Sequence, residues 1–366
     1  MWCPVSVQVT NYQCPACTAP LQFGAGTGKL QCEYCMSSFT VEEIELAYGE
    51  ANAEAAEAKP DAHGQTMYDE LWGEDAERMR FYSCPACGAE LICDETTAAT
   101  SCPYCSNPTI VPGQFTGVRR PDYVIPFKLT KTDAVEALKN HCKGKVLLPK
   151  AFRTEHHVQE IKGVYVPFWL FDGEADADVK YTATRSTRVH RGDDEIITTH
   201  HYAVRRAGTV QFHGIPVDGS TKMPDEYMDA IEPYDYGELK PFAMAYLPGF
   251  LADKFDVDAD RSFLRAQERI RNSAYDAMRD TVGFYETVIP VSSHASVSRG
   301  DTRYALMPVW MLNTKYRGKD YLFAVNGQTG KAVGELPMSR GRFWAWFAGI
   351  SAGLSALASL ILLYAM

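Results

Sequence analysis

The pattern of hydrophobic and polar residues changes repeatedly between strand and helix periods from about residue 119 onwards. Short apolar stretches and strictly alternating stretches both predict strands, and Gly192 lies in a turn that joins two of them as a hairpin. The predicted strands are 124–127, 162–171, 179–189, 196–204, 285–291, 304–312 and 321–325, with a last strand near Val333. This mixture predicts the α+β class, with long antiparallel strands in one large mixed domain over residues 119–338.

Two helices are predicted within this domain. Apolar residues recur at helical spacing after Asp260, which predicts the longest helix of the domain. Its apolar face consists of Phe263, Ala266, Ile270, Ala274, Ala277, Met278 and Val282. A shorter helix is predicted to begin at Asp133, because Glu136 follows three residues later in the spacing of a capping box. We expect the long helix to lie on a sheet with its charged residues outward.

The C-terminal segment 343–366 contains no charged side chain. A helix of this length measures about 36 Å, which is enough to cross a hydrocarbon core of about 30 Å. Arg340 and Arg342 precede the segment and two tryptophans follow at its entry, as at a membrane interface. The pattern therefore predicts a transmembrane helix and a single-pass protein of the cell membrane, with residues 1–342 in the cytoplasm. The alternative is a buried core helix.

An internal repeat at an offset of 70 residues is the strongest signal in the chain. Tyr12-Gln13-Cys14-Pro15-Ala16-Cys17 matches Tyr82-Ser83-Cys84-Pro85-Ala86-Cys87. Cys32-Glu33-Tyr34-Cys35 matches Cys102-Pro103-Tyr104-Cys105 in the same way. Each copy therefore has two Cys-x-x-Cys motifs that enclose 14 residues.

This spacing is typical of a closed metal site. Two Cys-x-x-Cys turns direct four thiolates to one point, so no ligand position is open for water or substrate. Such sites are structural, and the ion supplies much of the folding free energy of a small module. Thiolates select zinc or iron, and we predict two structural Zn²⁺ ions, with a rubredoxin-like iron centre as the alternative. Disulfides would not persist in a cytosolic chain. The predicted ligands are Cys14, Cys17, Cys32, Cys35, Cys84, Cys87, Cys102 and Cys105.

The negative charge of the chain lies mainly between the two cysteine modules. The net charge is −10, and residues 41–80 hold 12 acidic and 3 basic side chains. We therefore predict two zinc ribbons at 1–40 and 81–118, joined by an acidic linker with two short helices around a flexible tether. Residues 81–118 contain no Lys or Arg. A nucleic-acid-binding protein normally has a basic surface, so this charge pattern disfavours nucleic acid as a partner.

The sequence contains no motif that argues for catalysis. The glycine-rich segment at 24–29 resembles a phosphate-binding loop, but Phe23 and Leu30 replace the required glycine and hydroxyl residue. The pairs His156-His157 and His200-His201 are adjacent, and neighbours on a strand point to opposite faces. We therefore expect a protein that is not an enzyme. A hydrolase within the large domain is the least favoured reading.

Several motifs together make the chain resemble, from end to end, a bacterial family described as TFIIB-type zinc-ribbon-containing proteins. Its members are often labelled primosomal helicase-like. The motifs are Cys-Pro-Ala-Cys-Gly-Ala-Glu from Cys84, Ser-Cys-Pro-Tyr-Cys from Ser101, Pro-Asp-Tyr-Val-Ile-Pro-Phe-Lys from Pro121, Gly-Val-Tyr-Val-Pro-Phe-Trp-Leu from Gly163, and Asn-Gly-Gln-Thr-Gly-Lys from Asn326. Some relatives look like membrane components of envelope-stress systems, which implies a platform role.

Two functions follow as hypotheses. The first is a membrane-anchored cytoplasmic adaptor or scaffold, in which the zinc ribbons and the α+β domain bind protein partners. The second is a membrane-tethered nucleic-acid-binding protein related to replication or transcription. Binding of DNA or RNA with a steep salt dependence would favour the second hypothesis over the first.

Overall fold

A computed structural model describes residues 12–47, 79–85, 87–94, 102–105, 111–112, 119–149, 161–192, 194–316 and 319–365. Its strands are β1 Gln22–Gly24, β2 Lys29–Gln31, β3 Ser38–Phe39, β4 Met79–Ser83, β5 Glu90–Asp94, β6 Val111–Pro112, β7 Tyr123–Val124, β8 Lys162–Arg191, β9 Asp194–Asp218, β10 Lys240–Pro241, β11 Leu251–Asp253, β12 Thr287–Tyr316, β13 Lys319–Asn326 and β14 Ala332–Gly334. Its α-helices are α1 Lys131–Cys142, α2 Asp225–Ile231, α3 Ala259–Asp280 and α4 Arg340–Ala365. Single 3₁₀ turns lie at Tyr236–Glu238 and Met244–Tyr246.

The strands form two sheets. The first cysteine module has a small sheet of its own, with the order β1-β2-β3. The large sheet has the order β10-β7-β12-β8-β11-β5-β4-β6. Three further strands lie off this path: β13 pairs with β12, β14 pairs with β13, and β9 pairs with β8. It is mixed, because β11 runs parallel to β8 and β7 runs parallel to β12, whereas the other pairs are antiparallel. The second cysteine module supplies β4, β5 and β6 and is therefore part of the main sheet.

Strands β8 and β12 are longer than the sequence pattern predicts. Each was expected as two strands, yet each continues without a break in the chain and pairs antiparallel with the other. Residues 172–178 of β8 are Asp, Gly, Glu and Ala, which have low strand propensity. Three of them, Gly173, Ala175 and Ala177, are small where α3 lies close: a Cβ on Gly173 would stand 2.9 Å from Cδ1 of Ile270, and both alanines are buried in the cluster that includes Ile270. Packing against α3 therefore accounts for the small residues of this part of β8.

Helix α3 covers one face of the long strands. Its buried residues include Ala266, Ile270, Ala274 and Met278, which confirms the predicted apolar face. The Asp258 side chain caps its N-terminus by accepting a hydrogen bond from the backbone N–H of Arg261 at 2.8 Å.

Helix α1 begins earlier than predicted. Thr130 is its N-cap, and Asp133 is the third helical residue, whose carboxylate accepts a hydrogen bond from the Thr130 backbone N–H at 2.9 Å. The sequence interpretation had Asp133 as the cap and Glu136 as its partner. Both readings use the same spacing, and the capping box is formed one turn earlier because Thr130 offers the hydroxyl.

The prediction of a transmembrane helix over residues 343–366 is wrong. Among the residues that the structure describes, no helix combines the length and the apolar character that crossing a bilayer requires. Helix α4 contains Arg340 and Arg342 in its first turn, and three serines and three glycines lie among its apolar residues. The predicted single-pass location in the cell membrane, with residues 1–342 in the cytoplasm, depended on that helix and is wrong with it.

The linker between the cysteine modules is described only at its start. Residues 41–47 are helical, and Thr40 caps them in a reciprocal pair of hydrogen bonds with Glu43, at 2.8 and 3.2 Å. The predicted tether and the second helical piece fall on residues 48–78, outside the described residues.

Candidate metal centres

The first four cysteines meet at one point beside the small sheet. In this module, named ribbon 1 (residues 12–39), the sulfur atoms of Cys14, Cys17, Cys32 and Cys35 all lie within 4.8 Å of one another. The Sγ atoms of Cys14 and Cys35 are 3.4 Å apart, as are those of Cys17 and Cys32. A tetrahedral Zn–S₄ site with bonds of about 2.3 Å has sulfurs about 3.8 Å apart, whereas a disulfide requires about 2.05 Å. The spacing therefore fits a metal ion and excludes disulfides.

The other four cysteines form an equivalent group in the module named ribbon 2, which comprises β4 to β6 and residues 102–105. The Sγ atoms of Cys84 and Cys105 are 3.6 Å apart, and those of Cys87 and Cys102 are also 3.6 Å apart. All four sulfurs lie within 4.8 Å of one another. Each ribbon could thus hold one metal ion, and four thiolates are consistent with zinc. The identity of the metal stays a prediction.

The backbone forms the same turn at the three Cys-x-x-Cys motifs whose following residues the structure describes, which begin at Cys14, Cys32 and Cys84. The first cysteine donates its N–H to the carbonyl five residues on, and its own carbonyl accepts the N–H of the fourth residue on, at 2.7 to 2.9 Å. That fourth residue has a left-handed backbone, with φ of 62° at Thr18, 60° at Met36 and 70° at Gly88. Only ribbon 2 has glycine there among these three turns, so ribbon 1 carries backbone strain at two of them.

The electrostatics of the thiols differ between the two sites. In ribbon 1, the hydroxyl and backbone of Ser37 lower the pKa of Cys35 to about 6. The N–H of Ala19 lowers the pKa of Cys17, but bonds with the neighbouring cysteines outweigh it and raise this pKa to about 12. In ribbon 2, burial raises the pKa of Cys87 to about 11. Protons therefore compete with a bound cation for these sulfurs, and acid should release the ion.

Ribbon 2 is anchored in the main sheet by a buried carboxylate. Tyr104 lies between the last two cysteines, and its hydroxyl donates a hydrogen bond to Oδ2 of Asp253 at 2.6 Å. The hydroxyl of Ser220 donates to the same oxygen at 2.6 Å. Burial raises the pKa of Asp253 to about 7. The side-chain amide of Asn313 also donates to the Tyr104 carbonyl, so the second metal-binding turn is held from two sides.

The hairpin of ribbon 1 contacts the main domain. Phe23 packs edge-on against Tyr246, with ring centroids 5.4 Å apart, and donates its N–H to the Pro248 carbonyl at 3.2 Å. Tyr34, the counterpart of Tyr104, is 77% exposed. The residue Met36 that follows the turn is 85% exposed.

The eight cysteines follow from the sequence, whereas the buried contact between Tyr104 and Asp253 that holds ribbon 2 does not. Asp253 lies 149 residues from Tyr104 along the chain, so no local spacing connects them. The available signal was the tyrosine itself, since Tyr34 and Tyr104 are repeated at the same offset as the cysteines. A tyrosine kept between two metal ligands indicates a contact that needs both a ring and a hydroxyl.

The chain is 34% identical over 345 residues to the uncharacterized protein YdjG of Bacillus subtilis (strain 168). The alignment covers 94% of this chain and 95% of the relative. The chain belongs to the YdjG family. No family model matches it, so the TFIIB-type label rests on the sequence resemblance alone, and no solved structure matches it. In this member of the YdjG family, the two four-cysteine groups are compatible with zinc ribbons.

Proposed function

We propose that the protein is a non-catalytic adaptor in which ribbon 2 is a structural part of the main sheet and ribbon 1 binds a protein partner. One observation supports this division of roles above the others. The equivalent tyrosines have opposite environments, since Tyr104 is 6% exposed and Tyr34 is 77% exposed. The surface that ribbon 2 uses for docking is therefore free on ribbon 1.

The exposed end of ribbon 1 has the composition of a binding surface. Tyr34 and Met36 are adjacent to the metal-binding turn, and Leu46 on the following helical residues is exposed as well. Tyrosine and methionine are enriched where proteins bind one another, because both offer large apolar area, and tyrosine adds a hydroxyl. The four thiolates close the site, so the ion would hold this surface in shape and would not activate a substrate.

The site where Tyr104 of ribbon 2 is buried indicates what kind of partner ribbon 1 would bind. There the tyrosine ring is buried and its hydroxyl meets a carboxylate that also accepts from a serine. We expect the partner to offer an apolar pocket with an acceptor at its base, into which Tyr34 inserts. The contact would resemble the internal one between ribbon 2 and β11.

The test compares full-length, zinc-loaded proteins immobilised in equal amounts. Wild type, Tyr34→Ala and the control Leu264→Ala, which removes an exposed apolar side chain from α3, are exposed to the same cell extract. We expect proteins that wild type and Leu264→Ala retain equally, and that Tyr34→Ala retains at least ten-fold less by quantitative mass spectrometry. Equal retention by all three would contradict the proposal. Salt-sensitive retention of DNA or RNA oligonucleotides would favour the nucleic-acid hypothesis instead.

A further inference from the structure

Three strands extend beyond the rest of the large sheet as an arm, defined by residues 173–191 of β8, 194–212 of β9 and 287–299 of β12. Strand β8 lies in the middle, and α3 covers one face. The far end of the arm, which α3 does not reach, exposes apolar side chains on both strands of its hairpin. These are Val189, Ile196, Ile197 and Tyr202.

The two outer edges of the arm differ in how they are protected. Along β12, Pro290 lacks a backbone donor, and the register shifts between Pro290 and Ser292. Such features prevent an edge from pairing with a further strand. The edge of β9 over 194–206 has no proline and no bulge, and its register with β8 is unbroken there. Within the described ranges, no strand pairs with this edge.

The sequence of this unprotected edge is complementary to itself in the antiparallel sense. Two acids begin it, two arginines end it, and apolar residues lie just inside both ends. Residues that face one another across an antiparallel pair lie on the same face of the sheet. Because the two strands are copies of one sequence, facing residues must therefore both have even numbers or both have odd numbers. With residue 200 opposite its own copy, the facing pairs are Asp194 and Arg206, Glu195 and Arg205, Ile196 and Val204, Ile197 and Ala203, Thr198 and Tyr202, and Thr199 and His201.

This complementarity selects one register. A slip of two residues in one direction places Glu195 opposite Ala207, and in the other direction it places Glu195 opposite Ala203. Either slip leaves the acidic end without cations from the second copy, and only the contact of Glu195 with Arg188 of its own chain, at 3.7 Å, remains. The guanidinium of Arg205 donates two hydrogen bonds to Asp178 of the neighbouring strand β8, at 2.9 and 2.6 Å, and is 64% exposed. An opposing carboxylate on the same face would share that charge.

The apolar residues fit the same register. Val204 is buried at the end of the cluster that α3 forms with the arm, together with Met278 and Val282. Its facing residue would be Ile196 of the second copy, whose own neighbour on β8 is Val189. Pairing would therefore continue the apolar cluster under α3 with residues that are exposed in one copy.

We propose that two copies of the chain associate through the outer edges of β9, antiparallel over residues 194–206, with residue 200 on the twofold axis. The two arms then form one continuous sheet, and the interface is isologous. This association is independent of the metal sites and of the partner bound by ribbon 1.

The register is tested by cross-linking through residue 200. On a twofold axis between antiparallel strands, the two Cα atoms are about 4.5 to 5.5 Å apart, which a disulfide can bridge. We expect His200→Cys to form a covalent dimer under mild oxidation of the zinc-loaded full chain. The control His213→Cys, on β9 outside the paired segment, and wild type should stay at the background level. Equal cross-linking of the two variants would overturn the register.

The charge pattern is tested by reversal and rescue. Sedimentation of wild type should give twice the chain mass of 40.8 kDa. If wild type is still a monomer at 100 times the concentration used for the variants, the proposal is overturned. Asp194→Arg/Glu195→Arg places like charges opposite one another, so its dimer dissociation constant should rise at least ten-fold.

The rescue uses Arg205→Glu/Arg206→Glu as the complementary variant. Alone it should also dissociate, because acidic residues then face one another at both ends of the paired segment. This variant also removes the ion pair between Arg205 and Asp178 within its own chain. An equimolar mixture of the two variants opposes unlike charges at every facing pair and should restore the dimer. Unaltered dimerisation of the first variant, or a mixture that stays monomeric while circular dichroism shows both variants folded, would overturn the proposal.

Discussion

Ribbons 1 and 2 have the same ligand spacing and opposite relations to the rest of the fold. Ribbon 1 closes its own sheet of β1 to β3 and meets the main domain through Phe23. Ribbon 2 adds its strands to the main sheet, since β5 pairs with β11, and inserts Tyr104 beside it. The cysteine spacing therefore determines how the four sulfurs are arranged, whereas residues between the cysteines and far from them determine whether a ribbon joins the main sheet or keeps a sheet of its own.

The largest difference between the ribbons should appear when each loses its metal. We compare Cys84→Ser/Cys87→Ser with Cys14→Ser/Cys17→Ser, and elemental analysis should fall from two zinc ions to one in both. Because ribbon 2 shares the main sheet, its loss should lower the global free energy of unfolding by several kcal/mol and increase amide exchange in β5 and β11. Loss of ribbon 1 should increase exchange mainly in β1 to β3.

Equal losses of global stability in the two variants would show that both ribbons are structural, and the comparison would fail. Wild type treated with a chelator serves as the control that loses both ions. Iron in place of zinc would support the rubredoxin-like alternative at the same cysteines.

Local spacing explains what the sequence could predict. The eight cysteines, the repeat and the apolar face of α3 each follow from short periods, and the structure brings the cysteines together in two groups. The sequence does not predict that β8 is continuous, because Gly173 has low strand propensity. This position is a glycine since α3 lies too close for a larger side chain. The absence of charged residues over 343–366 predicts a membrane helix, but no helix among the described residues is long and apolar enough to cross a bilayer. Tyr104 is held by Asp253, which lies 149 residues away along the chain, and no local sequence pattern predicts such a contact.

The second test concerns the buried carboxylate that only ribbon 2 contacts. The pKa of Asp253 is about 7 in the fold, against about 3.9 in an unfolded chain, because burial disfavours the ionised form. At pH values between these two pKa values, Asp253 is protonated in the folded state and ionised in the unfolded state. The free energy of unfolding should therefore fall as pH rises from 5 to 8, by on the order of 2 kcal/mol.

The matched variant for this test is Asp253→Asn, which keeps an acceptor for Tyr104 and cannot ionise. Both proteins retain all eight cysteines, so the effect of acid on the metal sites cancels in their difference. Urea unfolding at several pH values should show wild type losing stability relative to the variant as pH rises. A difference that does not change with pH would mean that the carboxylate stays ionised throughout.

The third test removes the side-chain hydroxyl from each of the two equivalent tyrosines in turn. Tyr104→Phe removes a hydrogen bond to a buried carboxylate and should lower the free energy of unfolding by about 1 to 2 kcal/mol at pH 7. Tyr34→Phe should change it by less than about 0.5 kcal/mol, because that side chain is exposed. Urea unfolding with zinc present measures both. Similar effects at the two positions would indicate that Tyr34 has a partner within the same chain.

The smallest effect concerns backbone strain in the metal-binding turns. Met36 adopts a φ of 60° as the fourth residue after the first cysteine of its turn, the place that Gly88 takes in the first turn of ribbon 2, and its side chain is exposed, so its removal costs no packing. Met36→Gly should relieve the left-handed strain and stabilise ribbon 1 by about 1 kcal/mol, measured as slower amide exchange in β2 and β3. Met36→Ala is the matched control, since it removes the same side chain and keeps the strain. If both substitutions slow exchange equally, the side chain and not the backbone is responsible. If only glycine does, ribbon 1 carries strain for a residue that its own fold does not use, which is the expected mark of a side chain retained for a partner.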